Sequence, residues 1–133
     1  MKQSFLIIAT VMVLLLTGVS HASTSLDDPN TVLTVMQFTL KSGASRDELQ
    51  KRMMTIRDFI RQQPGLIDNA LMENRNHDAA PTFVGVSRWK SFKSWEAMWS
   101  SREFKDLVTK VSEVGEMNPG TFAPIGKKAM NVR

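Results

Sequence analysis

The sequence predicts an α+β domain of the ferredoxin-like kind, β-α-β-β-α-β, with an antiparallel sheet and its helices on one face. Three observations lead there. Residues 31–40 and 82–89 are rich in β-branched and aromatic side chains and read as strands. Leu49, Met53, Ile56 and Ile60 recur at the spacing of one helix face, behind a serine that can cap the helix. The segments then succeed one another as strand, helix, strand, strand, helix, strand, the order of the split β-α-β arrangement.

Before the first of these elements the chain carries a three-part leader. Lys2 gives one positive charge, residues 5–16 are almost wholly apolar, and Ser20-His21-Ala22 places small residues where a signal peptidase cuts. The apolar run is about a dozen residues, short of the roughly 20 a bilayer-spanning helix needs. The expectation is a signal peptide over residues 1–22, a mature chain starting near Ser23, and export to the periplasm or the medium, with no stable membrane insertion after cleavage. Residues 23–30 are polar and turn-rich and read as a lead-in to a domain spanning 31–126, with 127–133 as a tail.

The first strand puts Val32, Met36, Phe38 and Leu40 on one face and Leu33 and Val35 on the other. Ser45-Arg46-Asp47-Glu48 fits the S-x-x-E capping box, in which Ser and Glu each satisfy an amide at the helix start. Gln63-Pro64-Gly65 stops that helix. Residues 66–74 form the second strand and 75–81 a polar loop. The third strand alternates Phe83, Gly85, Ser87 and Trp89 against Val84, Val86 and Arg88. Ser91 caps a short helix bearing Phe92, Trp95, Met98 and Trp99, and Ser101 caps another bearing Phe104, Leu107, Val108 and Val111. Gly115 suits the end of that helix. The last strand is expected within 121–125, with a further short one at 129–132. Leu33, Val35, Val84 and Val86 are too apolar for open water, and a second copy of the same sheet is the simplest cover, giving a homodimer.

Composition removes several function classes. Without cysteine there is no thiol catalysis, disulfide or Cys-based zinc site. His77 is the one histidine left after leader removal, and there is no tyrosine. The formal charge of +4 falls to +3 without Lys2, and bases are interspersed with acids, so no stripe for nucleic acid is expected.

Residues 31–104 resemble the antibiotic-biosynthesis-monooxygenase family of dimeric α/β barrels. The resemblance is carried by Phe38-Thr39-Leu40-Lys41-Ser42-Gly43, by Gln63-Pro64-Gly65-Leu66, and by Trp89-Lys90-Ser91-Phe92-Lys93-Ser94-Trp95-Glu96-Ala97-Met98-Trp99 followed by Ser101-Arg102-Glu103-Phe104. It implies a dimeric α/β barrel and, for part of the family, oxygenation of quinols and polyketide aromatics with no cofactor. Haem-degrading members use an Asn on the first strand, a Trp closing the third and a His in the last helix. The Trp matches Trp89, but those other positions fall at Met36 and near Val108, so haem degradation is not expected.

The candidate pocket for a flat apolar ligand comprises Trp89, Met36, Phe38, Phe83, Met53, Trp99 and Asn69, between sheet and helices. The same residues also make an ordinary Met-rich and aromatic core. Asp68, Arg88 and His77 are candidate polar or acid/base groups. Asp68 serves as a base only if burial raises its pKa, and is otherwise an exposed carboxylate. Arg88 points toward the presumed dimer interior, either within reach of Gln37 or an acid of the other subunit or at the rim in water. His77 lies in a polar loop beside Asp78. No metal or bound cofactor is expected. Two functions remain open: an exported cofactor-independent monooxygenase acting on a small aromatic or quinone-like compound, and a non-catalytic dimer binding an apolar small molecule or a protein.

Overall fold

The structure, a computed structural model, describes residues 28–124. The expected leader, most of the lead-in, and the expected strand at 129–132 lie outside these residues. The elements are β1 (Val32–Leu40), α1 (Arg46–Arg61), β2 (Leu66–Glu73), β3 (Phe83–Trp89), α2 (Phe92–Ser100), α3 (Arg102–Ser112) and β4 (Gly115–Phe122). The four strands form one antiparallel sheet in the order β2-β3-β1-β4. This is the α+β ferredoxin-like topology, with the second helical segment broken into α2 and α3. Among the described residues no helix is long and apolar enough to cross a membrane.

Serines start all three helices. Ser45, Ser91 and Ser101 each accept a hydrogen bond from the backbone N–H three residues on, at 3.2–3.3 Å. The capping box at α1 is only half made. Glu48 turns away from the helix start and its Oε1 accepts from Arg52 Nε at 2.8 Å, because a guanidinium one turn later offers a charged partner. A cap contributes about 1 kcal/mol. Burying one Leu, Ile or Met contributes about 1.5–3 kcal/mol, so the apolar stripe holds α1 in place. Leu49, Met53, Ile56 and Ile60 are all buried, as their spacing predicts.

That stripe packs on the inner sheet face, where Val32, Thr34, Met36 and Phe38 alternate inward from β1 and Phe83, Ser87 and Trp89 from β3, all buried. Phe104 and Val111 from α3 and Met98 from α2 complete the core.

The last strand differs from expectation. It begins at Gly115, directly after α3, and it includes Pro119 and Gly120. Those residues argue against a strand in sequence, yet each has a place here. Pro119 lies on an edge strand, where a missing N–H need not break the ladder. A Cβ at Gly115 would fall 2.8 Å from Leu49 Cδ1 and 3.2 Å from the Thr39 carbonyl oxygen, so glycine lets β4 close against α1 without displacing Leu49. β2 carries a bulge at Ile67, between the Leu66–Trp89 and Asp68–Arg88 pairs.

Gly65, with φ of +81°, makes the turn from α1 into β2, and a Cβ there would lie 2.3 Å from Ser94 Oγ and 2.5 Å from Ser94 Cβ. Gly43 has a similar φ of +78° but open space around it. Gly65→Ala is therefore expected to destabilise by about 2–4 kcal/mol and Gly43→Ala by about 1 kcal/mol. Urea denaturation of both variants checks this; equal losses would show that the contact with Ser94 plays no part.

Candidate functional site

Small hydroxyls interrupt the inner face of the sheet, and they join into a polar seam across three strands. Trp89 Nε1 donates to Thr34 Oγ1 at 3.3 Å. Thr34 Oγ1 in turn donates to the Ser87 carbonyl at 3.5 Å. On β2, Asn69 Nδ2 donates to Ser87 Oγ at 2.7 Å and to the Val86 carbonyl at 3.4 Å. Asn69 Oδ1 is buried and has no partner.

Asn69 sits at one wall of a narrow gap between the sheet and α1. Met36, Phe38, Ala70, Leu71 and Gly85 line its sheet side, and Met53, Ile56, Arg57 and Ile60 its helix side. The gap holds about 10 Å³, close to what a single water needs. Met36 and Met53 face each other across it, and an unbranched thioether side chain re-packs at low cost. Of the lining side chains only those of Asn69 and Arg57 are polar. Arg57 donates from Nε and Nη2 to Asp58 Oδ1 at 3.1 and 2.9 Å, which leaves the neighbouring guanidinium edge as the local positive charge.

The candidates named from sequence separate into five places. Met36, Phe38, Met53 and Asn69 meet at the gap. Trp89 and Phe83 are core: Trp89 is wholly enclosed, and Phe83 is buried with the Arg46 guanidinium 5.3 Å from its ring centre. Neither lines the gap. Trp99 belongs to a row of rings along α2, α3 and α1, with Phe92–Trp95, Trp95–Trp99, Trp99–Phe104 and Phe104–Phe59 centroids 5.0, 5.6, 5.1 and 6.3 Å apart. The polar candidates lie elsewhere. His77 is exposed in the β2–β3 loop, and its carbonyl accepts from Arg46 Nη1 at 3.4 Å.

Asp68 and Arg88 share the outer sheet face and pair with each other, Arg88 Nε lying 2.8 and 2.9 Å from the two carboxylate oxygens. The sequence left Arg88 either at a rim in water or near Gln37 or an acid of the other subunit, and Asp68 as a base only if buried; within the chain the two side chains pair. Asp68 is 54% exposed, and its hydrogen bond to the Arg88 guanidinium holds its carboxyl below the usual range, with partial burial opposing that. It is an ionised half of an ion pair on the face away from the gap, not a base with a raised pKa.

Thr34, Ser87 and Arg57 were not singled out by sequence reasoning. The first two carried a legible signal: each is a hydroxyl at an inward position of a strand whose neighbours on that face are Met36 and Trp89. Among the described residues no three His, Cys, Asp or Glu come together as metal ligands.

No family model matches the chain, and no curated protein does. Solved structures do. SnoaB from Streptomyces nogalater, a cofactor-independent oxygenase, superposes with a TM-score of 0.62 at 19% identity, covering 71% of this chain and 92% of its own. Rv0793 from Mycobacterium tuberculosis does so with a TM-score of 0.62 at 17% identity over 73% and 97%. A dimeric protein of unknown function and ferredoxin-like fold from Bacteroides fragilis reaches 0.57 at 11% over 70% and 95%. The chain shares their fold. The resemblance seen in the sequence therefore holds for the architecture.

Chemically, the gap offers an apolar, polarizable lining, one hydrogen-bond acceptor and one nearby cation. No carboxylate or imidazole lines it. The enclosure of Trp89 makes a second expectation specific. Trp89→Phe removes the Thr34 hydrogen bond and part of a filled core volume, and it is expected to lower stability by about 1–3 kcal/mol. Equilibrium unfolding checks this; an unchanged midpoint would mean that Trp89 is not held as the core packing implies.

Proposed function

We propose that this is an exported homodimer that binds a small flat aromatic or quinone-like compound between the sheet and α1 and oxygenates it without a cofactor. The observation that carries the reading is Asn69: a buried amide carbonyl without a partner, in the wall of a gap otherwise lined by Met, Phe, Ile, Leu, Ala and one Arg. Leaving such an acceptor unmet costs about 1–3 kcal/mol, and an incoming hydroxyl meets it. The oxygenase fold shared with SnoaB supports the reaction class by analogy.

In that reaction the substrate supplies every electron. A phenolic ring carbon loses its hydrogen and gains one oxygen atom, the hydroxyl becomes a carbonyl, and the second oxygen atom leaves as water with the two hydrogens. Phenol and O₂ thus give quinone and H₂O. The part left to the protein is to hold the ring away from bulk water, accept its O–H at Asn69 and place the Arg57 charge near the electron-rich ring. Met36 and Met53 must swing aside to admit a ring, since the closed gap has room for about one water.

The dimer reading rests on the outer sheet face. Leu33, Val35, Val84 and Val86 form its centre, and Met72 and Phe122, 48% and 53% exposed, flank it on β2 and β4. A second sheet laid against this face removes that apolar surface from water, and the fold neighbour from Bacteroides fragilis is described as dimeric. Export rests on the leader at residues 1–22.

A second reading, binding without catalysis, draws on a different observation: the gap is nearly closed and no side chain lining it is a general base.

Two measurements test these readings. With a panel of naphthols and anthrones, an oxygen electrode is expected to record uptake at one O₂ per molecule oxidised, and Asn69→Leu is expected to slow it by about tenfold or more with little change in unfolding. Ligand binding with no uptake would favour the second reading; no binding would remove both. Native mass spectrometry of protein recovered outside the cytoplasm is expected to give twice the mass of a chain starting near Ser23. A monomer would overturn the dimer, and an intact Met1 would overturn leader cleavage.

A further inference from the structure

β1 and β4 run antiparallel with Leu33 opposite Phe122, so the start of one strand and the end of the other lie side by side. Between these strand ends and the start of α2 runs an open groove of about 540 Å³. Its apolar lining comes from Pro29, Val32, Phe92, Phe122 and Ala123. Phe92 and Phe122 are the two most exposed large apolar side chains among the described residues, at 52% and 53%, and both line this one groove. Thr31 lies in it too, buried, with an Oγ1 that has no partner among the described residues. Apolar surface gathered in one place in this way marks a seat for something that covers it.

Two segments outside the described residues join the domain at the rim of this groove. The lead-in enters at Asp28 and Pro29, and residues 125–133 follow Pro124, next to Ala123. Their compositions differ. Residues 23–27 carry one large apolar side chain, Leu26, whereas residues 125–133 carry Ile125, Met130 and Val132. Met130 and Val132 are two apart, the spacing that sets side chains on one face of an extended chain. Nine extended residues reach up to about 30 Å, ample for a groove that begins at Ala123. We propose that the groove is the seat of the chain's own C-terminal segment: residues 125–133 fold back across it and cover Phe92 and Phe122 with Ile125, Met130 and Val132. An extended segment also carries N–H and C=O groups, either of which satisfies the Thr31 hydroxyl once that side chain rotates toward it. The cover shields the end of the aromatic row as well, since the Phe92 and Trp95 ring centres are 5.0 Å apart. The groove shares no residue with the gap at Asn69, so neither site depends on the other.

The chain has no cysteine, so an engineered pair reports proximity without competition. In the full-length protein, Asn30→Cys with Met130→Cys joins the groove to the C-terminal segment. Lys51→Cys with Met130→Cys is the control, because Lys51 is exposed on α1 away from the groove. Under mild oxidation the first pair is expected to form an intrachain disulfide about tenfold faster than the second, read on non-reducing gels. A second variant keeps the chain length and replaces the apolar anchors, Ile125→Ser with Met130→Ser and Val132→Ser. It is expected to raise binding of an anilinonaphthalene sulfonate dye several-fold. Adding Phe92→Ser is expected to return the dye signal to the wild-type level, which a misfolded chain would not do. Equal disulfide rates for the two pairs, or unchanged dye binding, overturns the proposal. A disulfide found only between chains also overturns it, and gives the groove to a second copy.

Discussion

Everything in this domain hangs on the contact between one helix stripe and one sheet face. Leu49, Met53, Ile56 and Ile60 of α1 lie against the inward residues of β1 and β3, and all are buried. With no cysteine in the chain, no covalent link within it restricts the unfolded state, so this burial must offset most of the conformational entropy of folding. The local signals serve the same contact. Ser45 starts α1 where the stripe begins, Gly65 turns the chain back within reach of β3, and Gly115 lets β4 approach Leu49 closely enough to seal the far edge.

The two faces of the sheet then divide the labour. The inner face is covered by the chain's own helices and contains the polar seam. The outer face presents Leu33, Val35, Val84 and Val86, with the Asp68–Arg88 pair beside them. An ion pair exposed to water contributes little to stability. Any surface laid against this face must either leave the pair hydrated or match its charges.

Much of the fold was legible because the sequence states it more than once. α1 is marked by a cap, a stripe and a stop, and each was found where expected. β4 was not legible, because its cues conflict. Gly115, Pro119 and Gly120 are local breakers, and what makes them a strand is tertiary: an edge position with β1 beside it and Leu49 packed against its first residue. The site was legible only in part. Met36 and Phe38 alternate inward on β1 and Met53 lies in the α1 stripe, so pattern places those three between sheet and helix, whereas Asn69 joins them only through its register against Ser87. Trp89 has the same pattern, yet it is wholly enclosed, and nothing in an alternating strand distinguishes a pocket wall from a core residue. The role of Asp68 turned on a pairing 20 residues away across a bulge that shifts the β2 register, and sequence spacing does not carry such a pairing.

The case for a site finally turns on why Asn69 is an asparagine. Its neighbours on the inner face are apolar or are hydroxyls with partners, and a leucine of similar size would pack against Met53 and Ile56 without leaving an acceptor unmet. Keeping the amide gains two hydrogen bonds from Nδ2, one of them to a Ser87 that would otherwise need another partner, and loses one at Oδ1. A net hydrogen bond contributes about 1 kcal/mol and a buried orphan costs about 1–3 kcal/mol, so as a purely structural device the residue does little better than break even. A water in the gap would restore the balance, but the only other polar side chain there is Arg57, a donor already held by Asp58, and a buried water commonly makes about three hydrogen bonds. A ligand hydroxyl on an apolar ring has no such shortfall. It needs one acceptor, and the rest of its surface is met by the two methionines, the isoleucines and Phe38. The residues around Asn69 therefore suit a hydroxylated aromatic better than they suit either water or an empty core.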